Sequence, residues 1–96
     1  MTIDQLNLLS TAAALLADTS HLLAAAQRDK PYIDRVLEGA NRSYYLDRLR
    51  LVKKAHAPAQ RVVNALTAGE PADLWDVVEV TRYSAQFDEW LPSRRK

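Results

Sequence analysis

The sequence predicts an all-α protein: a compact bundle of about four helices with a long leucine/alanine heptad helix at its N-terminus. Three observations carry this expectation. Leucine pairs recur every seven residues as Leu8-Leu9, Leu15-Leu16 and Leu22-Leu23, the spacing of a helix that packs on helices. Apolar residues in the later segments keep a helical period. Prolines and the two glycines punctuate the chain at intervals that suit helix ends. With 48% apolar and 26% charged residues among 96, the composition is that of one folded domain, expected over 1–91 and followed by a basic tail at 92–96.

Helix 1 should begin at Thr2, which forms a capping box with Gln5 three residues on. It should end near Asp29, because Pro31 disfavours helical geometry at Lys30 and is itself tolerated in a first turn. If Leu9, Leu16 and Leu23 occupy the a positions, Leu8, Leu15 and Leu22 fall at g and the small residues Ala12, Thr19 and Ala26 at d. Small d residues allow close backbone approach. The stretch from Leu6 to Ala26 carries a single charge, Asp18, and seven leucines lie between Leu6 and Leu23. Burying them is worth on the order of 10–20 kcal/mol as an upper bound. That seam is therefore expected to be covered, either as an intramolecular core or as a protein interface, with a homodimer the simplest form.

A bilayer span needs about 20 predominantly apolar residues, and this stretch holds Asn7, Ser10, Thr11, Asp18, Thr19, Ser20 and His21. A secretory signal would start basic, whereas Asp4 makes this start acidic. Neither membrane association nor secretion is expected, and the absence of cysteine fits a cytoplasmic protein.

Helix 2 follows Pro31 with Ile33, Val36, Leu37, Ala40 and Tyr44 on one face, then Tyr45, Leu49 and Val52 in a shifted phase. Gly39 to Ser43 marks the shift, and the sequence leaves open whether the helix is continuous there. Helix 3 should open at Pro58, present Ala59, Val62, Val63 and Leu66, and stop at Gly69. Pro71 and Asp73 begin the last segment with acid at the positive end of a helix dipole. β-Branched and aromatic residues at 74–83 favour a strand on propensity. Helical spacing of Leu74, Val77, Val78, Val80, Tyr83, Phe87, Trp90 and Leu91, with no partner strand elsewhere, favours a helix.

Charge is segregated. Residues 42–61 carry a net +5 and residues 70–90 a net −5. Arg42, Arg50, Lys53, Lys54 and Arg61 are candidate contacts for nucleic acid or for an acidic partner, with Arg50, Lys53, Lys54 and Arg61 able to share a face and Tyr44 and Tyr45 nearby. The acidic last segment competes for that stripe, which weighs against a dedicated nucleic-acid domain.

Catalytic chemistry is not legible. Ser20, His21 and Asp18 sit on adjacent turns of one helix and cannot converge as nucleophile, base and orienter. His56 is expected to cap the end of helix 2 or face solvent. Two glycines cannot build a phosphate-binding loop, and the two histidines lack zinc-ligand spacing. No cofactor or metal is expected. The sequence thus predicts a non-enzymatic protein-binding regulator, inhibitor or adaptor acting through helical surfaces, with Leu8, Leu9, Ala12, Leu15, Leu16, Thr19, Leu22, Leu23 and Ala26 as the interface. A small nucleic-acid-binding regulator is the alternative. A structural subunit or secretion-type chaperone is a third reading.

Overall fold

A computed structural model describes residues 1–90 and contains three helices: α1 (Ile3–Val36), α2 (Gly39–Thr67) and α3 (Leu74–Trp90). The expected basic tail at 92–96 lies outside the described residues. The all-α class holds, and 74–83 is helical. The count of four helices does not hold, because two of the expected breaks are absent.

Both differences arise at proline. α1 runs through Pro31 to Val36, and α2 runs through Pro58 to Thr67. An interior proline removes one backbone hydrogen bond and costs about 3 kcal/mol, so each must be outweighed by contacts on either side. Around Pro58 these are core contacts, since Val52, Ala55, Ala59 and Val62 are all buried on the face that carries the buried ring. Around Pro31 they are weaker. Lys30 pairs with Asp34 at 2.9 Å, and Asp34 bridges to Arg42 of α2 at 3.2 Å.

The chain reverses at Leu37 and Glu38 instead. Leu37 donates its N–H to the Ile33 carbonyl at 3.0 Å and turns extended, and Gly39 follows with φ +58°. An added Cβ at Gly39 would meet nothing within 4 Å, so the backbone conformation rather than lack of space calls for glycine.

The remaining ends follow local chemistry. Thr2 and Gln5 form the capping box, with Gln5 N–H donating to Thr2 Oγ1 at 3.1 Å and Thr2 N–H to Gln5 Oε1 at 2.9 Å. α2 ends in a Schellman turn: Glu70 N–H donates to the Ala65 carbonyl at 2.8 Å and Gly69 N–H to Leu66 at 3.2 Å, with Gly69 at φ +76°. Asp73 caps α3, its carboxylate accepting from Trp75 N–H at 2.9 Å and Asp76 N–H at 3.3 Å.

All three helices touch one another in a body of 48 × 26 × 20 Å. The core joins Ala12 and Leu15 of α1 to Val52, Ala55, Ala59, Val62 and Leu66 of α2 and Val80, Tyr83 and Phe87 of α3. α1 is long and apolar enough to cross a bilayer by length and composition alone. Here Leu15 is buried and Leu8, Leu9, Leu16, Leu22 and Leu23 pack against the core shared with the other two helices.

Candidate protein-docking grooves on the helical hairpin

At 1.5 Å per residue α1 is about 51 Å long, α2 about 44 Å and α3 about 26 Å. Over the described residues the third helix therefore covers only part of the hairpin made by the first two. From Ser20 to Leu51 no residue is buried, although this span contains Leu22, Leu23, Ile33, Leu37, Tyr45, Leu46 and Leu49. Among the described residues of α3, Trp90 borders Leu22, Ile33, Tyr45 and Leu49 of this span.

Two grooves open on either side of the α1–α2 seam there, sharing Ala26, Ile33, Tyr45 and Leu49 as their common floor. The first, of about 270 Å³, lies towards α3 and is closed at one end by Trp90. The Arg48 guanidinium stands 4.4 Å over the Trp90 ring and 4.7 Å over Tyr44, and it also donates to the Tyr44 hydroxyl. Trp90 in turn stacks at 5.0 Å on Phe87 of the core, so this wall is anchored. The second groove, of about 390 Å³, is floored by Leu23, Leu46 and Leu49 and edged by Lys30, Asp34, Arg42 and Lys53. A hydrogen bond from Lys30 holds the Asp34 carboxyl below its ordinary value against partial desolvation, with Arg42 adding to the effect.

The leucine seam is used within the chain. Ala12, Leu15 and Thr19 are buried, and Leu8, Leu9, Leu16, Leu22 and Leu23 pack around the core. Ala26 lies on the floor shared by the grooves. The upper half of the seam is thus core, while Leu22, Leu23 and Ala26 reach the open hairpin. His56 is placed differently from expectation. α2 does not end beside it, so the half-buried ring turns inward with Nδ1 2.9 Å from Thr19 Oγ1. The Thr19 hydroxyl also lies 3.1 Å from the Leu16 carbonyl. Donation of that hydroxyl to the carbonyl and of Nδ1–H to the hydroxyl oxygen satisfies all three groups.

The basic residues are not gathered on one face. Arg42 and Lys53 edge the second groove, whereas Lys54 and Arg61 border a separate furrow between α2 and α3. Arg50 pairs with Asp47 at 3.2 Å. Arg61 forks onto the buried Asp76 through Nε at 2.9 Å and Nη2 at 2.8 Å, and those bonds raise its own pKa. Arg61 is a latch between α2 and α3, its guanidinium committed to Asp76 at the surface of the fold. No group of three or more histidine, cysteine or acidic residues suited to a metal ion occurs among the described residues.

No family model, curated protein or solved structure matches this chain. The hairpin itself therefore supplies the functional reading. Sequence periodicity had marked Ile33, Tyr45 and Leu49 as apolar positions but gave no sign that they stay uncovered.

Proposed function

We propose that this protein is a non-enzymatic, protein-binding regulator or adaptor that takes an amphipathic helix of its partner into the hairpin grooves. One observation carries the reading: a hairpin rich in leucine, isoleucine and tyrosine contains no buried residue from Ser20 to Leu51. Two helices cannot enclose a core, and a third laid along the seam would supply the missing layer. From Leu23 to Asp34 the second groove runs about 16 Å along α1, the length of three helical turns. Helix-in-groove binding uses a few apolar anchors at such spacing. Three or four anchors at about 1.5–3 kcal/mol each supply roughly 5–12 kcal/mol before the costs of association, which places such a contact among weak, transient ones. Self-association, expected from the sequence, would draw on the same uncovered surface.

The test is a tagged pull-down from nuclease-treated native lysate, repeated with Leu49→Asp and with the exposed control Lys54→Gln. The expected result is a partner that survives nuclease, is kept by the control, is lost from Leu49→Asp and slows amide exchange at 22–34 and 42–53. Capture unaffected by Leu49→Asp would place the docking surface elsewhere. Loss of every partner on nuclease treatment would move the reading to nucleic acid.

A further inference from the structure

The molecule has a second open apolar surface, at the opposite end from the hairpin turn. Leu74, Trp75 and Val78 are 77%, 73% and 46% exposed. Their spacing sets them on one face of α3, turned away from the buried Val80 and Phe87. This end of α3 follows the Gly69–Glu70 turn, which borders Met1 and Gln5 at the start of α1. The larger hairpin groove is lined by residues between 23 and 53 on the α1–α2 seam, whereas Trp75 borders residues 54–61 of α2 on the α3 side, so the two surfaces are separate on one chain.

Their charges are opposite. Lys30, Arg42 and Lys53 against Asp34 leave the groove edge with a net two positive charges. At the α3 face, Glu79 is matched by Arg82 at 2.8 Å and Asp76 by Arg61 at 2.8 Å. Glu70 and Asp73 remain as the acidic edge beside Leu74, while Lys54 borders the furrow on the α2 side of Trp75.

We propose that a second copy of this chain seats its Leu74, Trp75 and Val78 face in the groove edged by Lys30, Arg42 and Lys53, joining molecules head to tail. The proposal rests on the reading of the hairpin as a docking site and names its occupant. Two-fold pairing of either surface with itself would set like charges together: lysine and arginine against their own copies in the groove, or Glu70 and Asp73 against theirs on α3. Head-to-tail contact instead sets the acidic edge of one copy against the basic edge of the next. It also buries Trp75, a large amphipathic ring of the kind that dominates interface energetics. The two surfaces differ, so each added copy presents a fresh groove and a fresh tryptophan face. Assembly then continues into open chains unless the rotation closes a ring.

Sedimentation velocity of the full chain tests this. The expected weight-average mass rises past that of a dimer with increasing concentration, and rises less in about 1 M salt, where the screening length is about 3 Å. Trp75→Lys removes the knob and Leu46→Glu blocks the groove. Both positions are exposed, so circular dichroism should show intact helices. Each variant alone should need at least about tenfold more protein to associate, the effect of losing one interface anchor. Mixed in equal amounts they should form a dimer and nothing larger, because each keeps the surface the other lacks. A wild-type monomer at all concentrations, a dimer that neither variant dissolves, or a mixture that stays monomeric would each overturn the proposal. Loss of self-association with groove-dependent capture of another protein intact would remove only the second copy as occupant. Loss of both would remove the docking groove itself.

Discussion

The base of the bundle and its hairpin arm are built from the same two helices, with similar apolar content, yet only the base has a core. At the base, Leu15, Ala55, Val62 and Phe87 are fully enclosed. In the arm, Leu22, Leu23, Tyr45 and Leu49 remain half open. The difference is the third helix, which over the described residues, up to Trp90, reaches the arm only at that tryptophan. Burial of a leucine here depends less on its own helix than on how many other helices reach it.

Large substitutions should separate the two regions most clearly. Phe87→Ala, in the core, is expected to lower stability by about 3–5 kcal/mol, whereas Leu49→Ala, already partly in water, should cost under about 1.5 kcal/mol. Urea unfolding measures both, and equal losses would mean that the arm is as well packed as the base. Next comes the latch on α3. Arg61→Ala strands the buried Asp76 carboxylate and should cost about 2–3 kcal/mol, more than Asp76→Ala, which leaves behind an arginine that water can reach. The order of the two midpoints checks this.

A gain is expected in the arm. Pro31 is exposed in the interior of α1, so Pro31→Ala restores the hydrogen bond to the Gln27 carbonyl and should slow local opening by about 2 kcal/mol. Amide exchange at 31–36 reads it, with core amides little changed. The smallest effect is electrostatic. The Asp34 carboxyl is lowered in the folded chain, chiefly by the hydrogen bond from Lys30. Its contribution is therefore present above the ordinary carboxylate range and is lost as pH falls through that range and below. With both partners largely exposed, the step should be slight, visible as faster exchange at the arm tip on acidification and absent in Asp34→Asn.

The comparison also explains what could be read from residue order. Thr2 with Gln5, Gly69 with Glu70, and Asp73 acting on Trp75 and Asp76 are ends whose partners lie within five residues, and all three were legible. Pro31 and Pro58 were misjudged for the same reason in reverse. Their local cost was visible, while the contacts that outweigh it come from Arg42, eleven residues beyond Pro31 on another helix, and from the α1 and α3 side chains that share a core with Ala55, Ala59 and Val62 on either side of Pro58. His56 is expected from local sequence to cap a helix end or face solvent, and its actual partner, Thr19, lies on another helix. The leucine seam was legible as a surface that must be covered. Its division into a buried half and an open half at Ser20 was not.

The sequence by itself determined three things: an all-helical chain, the ends at Thr2, Gly69 and Asp73, and the apolar faces those helices would present. Each follows from hydrogen bonds and spacings within a turn or two of helix. Tertiary structure alone decided that two prolines sit inside helices, that Arg61 is committed to Asp76, and that the hairpin arm is left open. Those outcomes depend on which distant segments reach a given side chain, and contact between distant segments is what outweighs a local backbone preference.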